Sequence, residues 1–197
     1  MLPRFCKLSL LSCLVLVMVA CSTTPPSSYY RLTARESLPA GTSGPALGVG
    51  PVSIPQYLDR DGLVRSDGAN ALQIATSERW AEPLDQGITR VVSMNLAGLL
   101  QTQNVQLFPW HPDRRPDYGV KIRVLGMDAN QEQASLVVEW LLHNVEPDSA
   151  VQRQLSEYHV PLSGTGAREI SAAYSDLLYQ LSKDVASAVS LGTGSES

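Results

Sequence analysis

Three cysteines, three histidines and scattered carboxylates are the side chains of this chain best equipped to do chemistry, and only one of them stands in a setting that points to a reaction. Cys21 follows Leu16-Val17-Met18-Val19-Ala20 and precedes Ser22-Thr23-Thr24-Pro25-Pro26, so a thiol marks the boundary between an apolar run and a polar one. Upstream, Arg4 and Lys7 lead into an uncharged stretch from Leu8 to Ala20, the charge order and length of a signal peptide. Those thirteen residues are too few to cross a bilayer core as a helix, which takes roughly 20. The segment is therefore expected to be removed, and Cys6 and Cys13 go with it. Cys21 is then the sole thiol of a mature chain that can form no internal disulfide.

The remaining candidates are weaker. His111, His143 and His159 lack the short spacing that puts two metal ligands on one face, and each reads as a surface or packing residue. Asp59, Asp61 and Asp67 are interleaved with Arg60 and Arg65 and lack the spacing of a calcium loop, so they read as a solvated loop. Glu78 and Glu82 could share acid–base work only if the fold brought them into one pocket. Gly48-x-Gly50 lacks the third glycine and the following helix of a phosphate loop. No Gly-x-Ser-x-Gly or Gly-Lys-Ser/Thr sequence is present. The chain is expected to be non-catalytic and to need no cofactor or metal.

The junction at Cys21 resembles that of bacterial lipoproteins. In that class a small residue precedes the cysteine, diacylglycerol is joined to the thiol, the preceding peptide bond is cut, and the new amine is acylated. Ala20 and Cys21 match, while Met18 stands where leucine is commonest. The competing reading is an ordinary cleaved signal in which Cys21 is incidental. Each buried methylene contributes about 0.8 kcal/mol, so one acyl chain holds a protein reversibly and two or more hold it stably. Lipidation would make a transmembrane helix unnecessary.

The chain carries 15 basic and 19 acidic residues. Loss of Arg4 and Lys7 makes the mature part more acidic still, which argues against a nucleic-acid partner and against polybasic support for membrane binding. What remains is long enough to bury a single core. The expected organisation is a signal over 1–20, a lipidated tether over 21–28, a folded domain over 29–191 and a frayed tail over 192–197.

Within the domain, Tyr29 to Leu32 suits a short strand and 35–45 a loop with Pro39, Gly41, Gly44 and Pro45. Leu47 to Ile54 is strand-like, with Pro51 demanding an edge, a bulge or a strand end. Leu63–Arg65 and Ala71–Ile74 are expected to pair around Asp67-Gly68. A helix is expected from Glu82-Pro83 to about Leu100. Leu84, Ile88, Val91, Val92, Leu96 and Leu99 form its apolar face, and Asp85, Gln86, Thr89, Arg90 and Asn95 the opposite one. After a brief strand at 105–108 and a proline-rich loop at 109–116, three strands over 118–125, 135–143 and 151–162 are expected to form an antiparallel meander. A second helix is expected over 168–189. The fold class is α/β, a single domain with a mixed or antiparallel sheet packed by two main amphipathic helices.

Three segments resemble one family. Tyr29-Tyr30-Arg31-Leu32, Val52-Ser53-Ile54-Pro55-Gln56-Tyr57-Leu58-Asp59-Arg60 and Trp80-Ala81-Glu82-Pro83-Leu84 are similar to the PqiC/YmbA lipoproteins, auxiliary components of ABC-type, Mce-linked transport systems. The resemblance implies a palmitate-bearing outer-membrane lipoprotein that faces the periplasm. It also implies an Mce-domain, PqiB-like membrane protein as partner, in lipid transport and envelope integrity, and homo-oligomers for the branch containing PqiC. Only Cys21 carries a known chemical role across, and Ser22 fits outer-membrane sorting. Gln56, Tyr57 and Leu58 are candidate partner-binding residues; the alternative is that Tyr57 and Leu58 fold back as a lid on the core. Trp80 reads as a packing residue at the helix entry. The competing function is a lipoprotein that itself holds a lipid or other apolar ligand.

Overall fold

A computed structural model describes residues 26–68 and 70–194. Among them are eight strands: β1 (Ser28–Tyr30), β2 (Leu47–Ser53), β3 (Gly62–Ser66), β4 (Leu72–Trp80), β5 (Val105–Leu107), β6 (Tyr118–Ala129), β7 (Gln133–Asn144) and β8 (Ser149–Pro161). Two long helices accompany them, α1 (Leu84–Leu99) between β4 and β5, and α2 (Ala167–Gly194) after β8.

The strands form two mixed sheets. A five-stranded sheet has the order β5-β2-β6-β7-β8, and a three-stranded one the order β1-β4-β3. Within the larger, β2 runs parallel to both β5 and β6, while β6, β7 and β8 form the expected antiparallel meander. The α/β class and the two-helix layer are as the sequence indicates; the division into two sheets is not visible in it.

Alternation explains which face is covered. On β7, Ala134, Leu136, Val138, Trp140 and Leu142 are buried, and on β6 Tyr118, Val120, Ile122 and Val124. Both helices pack on this side, together with the buried stripe Ile170, Tyr174, Leu177, Leu178, Leu181, Val185 and Val189 of α2. The expected role of Pro51 is realised as a bulge: the pairing of β2 with β6 slips between Val49 and Val52, and Gly50 takes a φ of 113°. A positive φ of this kind is open to glycine at little cost. Gly48, far from cradling phosphate, lies under the Trp110 ring, where an added Cβ would come within 2.6 Å of the indole.

Several boundaries move. β4 continues through 75–80 because it pairs with β1 on one side and β3 on the other, contacts that local patterning does not reveal. Helix α2 continues to Gly194, past the expected end at Val189, and residues 195–197 lie outside the described residues. Asn95 is the clearest correction. It was expected on the polar face of α1, yet it is fully buried. Its Oδ1 accepts from the backbone N–H of Arg35 (2.8 Å) and Glu36 (3.3 Å), and its Nδ2 reaches Ser182 Oγ at 3.4 Å. The segment after β1 crosses this side of the helix, and the amide supplies the acceptor that the crossing backbone would otherwise lack once removed from water.

Candidate functional site

Cys21 lies outside the described residues, which begin five residues further on at Pro26. The chain then enters the fold through β1, whose parallel register with β4 sets Ser28 beside Glu78, Tyr29 beside Arg79 and Tyr30 beside Trp80. Ala81 N–H donates to Tyr30 O at 2.8 Å, and Trp80 N–H to Asp61 O at 2.8 Å. These two bonds tie the first and third of the segments that carry the family resemblance to each other and to Asp61, the residue that follows the second, although roughly fifty residues of chain separate the first from the last.

Around the junction lies an open groove of about 320 Å³ lined by Tyr29, Asp59, Arg60, Asp61, Arg79 and the 80–84 segment. A second opening of about 510 Å³ adjoins it, bounded by Asp59, Arg60, Asp61, Arg79 and the start of β3. Both are mixed in charge: Asp59 and Asp61 oppose Arg60 and Arg79, with Arg79 Nη1 3.9 Å from Asp61 Oδ2. Tyr29 projects its ring at 65% exposure.

The floor of the groove is tied into the core. Trp80 is buried and stacks on Tyr174 of α2, with centroids 6.2 Å apart and planes at 25°. It is therefore a packing residue at the helix entry, as the sequence suggests. Glu82, just before α1, pairs with Arg90 one face along the helix, and Arg90 Nη2 also donates to Leu32 O at 2.9 Å. The ion pair thus fastens the chain leaving β1 to α1. Arg65 Nη2 donates to Glu78 at 2.5 Å and joins β3 to β4. Glu78 and Glu82 are each paired with a different arginine and do not form one carboxylate pair.

The three candidate partner residues part company. Gln56 is exposed, Tyr57 is half-buried and Leu58 retains 3% exposure within the core. Leu58 N–H donates to Pro55 O at 2.9 Å, closing a turn that swings the leucine inward. The Tyr57 hydroxyl accepts from Met127 N–H at 3.4 Å. Burial, with the negative charge of Asp128 close by, pushes the Tyr57 phenol above its usual range. The lid reading describes Leu58, and the turn's outward contact is left to Gln56 and the exposed edge of Tyr57. Leu58→Ala is accordingly expected to destabilise the fold by about 2–5 kcal/mol, and Gln56→Ala by less than about 0.5 kcal/mol. Urea unfolding followed by tryptophan fluorescence measures both, and equal midpoints would show that Leu58 is not a core residue.

The histidines are dispersed as expected. His111 is in the loop after β5, His159 is exposed on β8, and His143 is buried on β7. The His143 ring lies against Gly119, with Nδ1 3.1 Å from Asn144 O and 3.2 Å from Asp148 Oδ1. Among the described residues no three His, Cys, Asp or Glu side chains gather in a metal-binding arrangement.

The fold is shared with solved proteins. XCC0632 from Xanthomonas campestris, 17% identical, superposes with a TM-score of 0.70 over 87% of this chain and 100% of its own. An uncharacterised protein of 24% identity gives 0.63 over 83% and 99%. No curated protein matches the chain. The model of the ABC-type transport auxiliary lipoprotein components matches residues 30–186, from the second tyrosine of β1 to the last turns of α2. It takes in the first of the three segments from Tyr30 onward and the other two whole, and the chain belongs to this family, that of the PqiC/YmbA lipoproteins.

Proposed function

We propose that this lipoprotein is a non-catalytic, outer-membrane component of an Mce-type, Pqi-like intermembrane lipid transport system, anchored through Cys21 and facing the periplasm. The observation that carries the reading is the convergence of β1, the 59–61 loop and the entry to α1 on one groove. Loops that present exposed side chains from a packed scaffold suit docking to a partner. The partner on this reading is an Mce-domain membrane protein, met by Tyr29 at the groove and by Gln56 and the exposed edge of Tyr57 on the turn just before its 59–61 wall, with Leu58 holding that turn in place.

One feature favours the ligand-carrying alternative: an apolar groove of about 370 Å³ between Leu38, Met94, Ala97 and Val105. It is open to solvent rather than enclosed, and the layer between sheet and helices is filled by large side chains such as Trp140, Tyr174 and Met127. A carrier must shield most of its ligand's surface.

The two readings separate experimentally. The full-length protein, purified in nonionic detergent, is expected to retain an Mce-domain protein of the same system, and Tyr29→Ala with Gln56→Ala to weaken that capture about tenfold without lowering the melting temperature. Native mass spectrometry finding stoichiometric lipid in the folded domain, with no Mce-domain partner retained, would overturn the assembly reading.

A further inference from the structure

The face of the five-stranded sheet turned away from the helices carries a charge pattern at odds with the rest of the molecule. In the register, Lys121 of β6 pairs with Leu141 of β7 and that with Arg153 of β8; one step along, Arg123 pairs with Glu139 and that with Leu155. All six side chains point outward. Together with Pro51 and Ser53, at the bulge of β2, most of them line a depression of about 180 Å³. It holds three cations and one acid in a chain whose acidic residues outnumber its basic ones, 19 to 15. Toward the other end Glu157 lies 3.3 Å from His159, on β8, and does not enter the depression.

Glu139 organises the cations without exhausting them. Arg123 Nη1 and Arg153 Nη1 stand 3.5 and 3.6 Å from its two oxygens, and both guanidinium side chains remain 67% exposed. Each keeps several N–H donors directed to solvent, in the fork geometry that receives a carboxylate. Beside them Leu155 is 65% exposed and Leu141 half-buried, apolar surface next to the charges.

We propose that this face docks an acidic polypeptide segment of a partner protein, a reading that rests on the assembly role above and specifies the chemistry of the contact. Charge complementarity selects an anionic occupant, and spacing selects a polypeptide over a phosphate headgroup. Lys121 and Arg123 are two residues apart on one strand, about 7 Å, and Arg153 lies two strands away from Lys121, about 10 Å. Glu139 already draws Arg123 and Arg153 toward its two oxygens. An extended segment laid along β6 carries alternate carboxylates at the same spacing of about 7 Å, which matches Lys121 and Arg123 and leaves Arg153, across the sheet, to a further acid of the same segment, whereas a phosphate headgroup offers one anionic centre.

The test uses the full-length protein in nonionic detergent and a fluorescein-labelled peptide of alternating Glu and Thr, read by anisotropy. Salt-sensitive binding is expected, with R123Q/R153Q weakening it about tenfold and R123K/R153K retaining most of it. Glu139→Gln removes the one carboxylate among the described residues that line the depression and is expected to tighten binding about threefold. A destabilised fold could not produce that gain. Failure of the wild-type protein to bind the peptide, or unchanged affinity in both R123Q/R153Q and Glu139→Gln, would overturn the proposal. So would stabilisation by monomeric dihexanoyl-phosphatidylglycerol with no response to the peptide, which would make the face a headgroup site. An Mce-domain protein captured equally by wild type and R123Q/R153Q would overturn this surface and leave the assembly reading standing. The expected peptide pattern with no Mce-domain partner would keep the surface and overturn that reading.

Discussion

Cys21→Ser is expected to move the protein from the membrane fraction to the soluble or unprocessed periplasmic fraction. A hydroxyl in place of the thiol forms no thioether, and without diacylglycerol the processing that follows has no substrate. Each lost chain of fourteen or more carbons removes on the order of 10 kcal/mol of transfer free energy, at about 0.8 kcal/mol per methylene. Among the described residues no helix is long and apolar enough to cross a membrane. The groove beside the tether is mixed in charge and contributes little lipid affinity of its own. Fractionation followed by high-salt and carbonate washes reads the outcome. A processed Cys21→Ser protein that stays in the washed membranes would show that the anchor is elsewhere.

The largest expected effect on stability lies in α2. Leu178 is fully buried within the apolar stripe of α2, and Leu178→Asp places a carboxylate in that layer. The loss of apolar burial and the desolvation of a charge each cost several kcal/mol, and together they exceed about 4 kcal/mol. Domains of this size are stable by only about 5–15 kcal/mol, so the variant is expected to melt more than about 10 °C lower or to aggregate. Ser187→Glu, on an exposed position of the same helix, is expected to shift the melting temperature by less than about 2 °C. Similar melting temperatures for the two would contradict the packing of α2 on the sheet.

Both effects concern features that can be read along the chain. The period of about 3.6 through Ile170, Leu177, Leu181 and Val185 marks α2, and the alternation through Val120, Ile122 and Val124 marks β6, because side-chain direction is set by backbone geometry within a few residues. The boundary at Cys21 is local in the same sense: an apolar run, a small residue and a thiol. Pro51 likewise announces its bulge, since a missing N–H perturbs any ladder it joins.

What covers a given face is not a local property. Asn95 and Leu58 differ from their expected surroundings for the same reason, that a segment distant in sequence lies over one and a turn folds the other inward. The Asn95 amide receives N–H groups from about sixty residues earlier in the chain and touches a hydroxyl about ninety residues later, which no period in α1 encodes. The same holds for the two sheets, for the parallel insertion of β2 between β5 and β6, and for the cations that β6 and β8 bring together around Glu139. The sequence by itself determined the helices, the meander and the candidate lipid acceptor, because each is a pattern within a short span. Tertiary structure decided the neighbours of β2, the burial of Asn95 and Leu58, and the convergence of three motifs on one groove. Those depend on which distant surfaces best exclude water from one another, a competition that short-range patterning does not resolve.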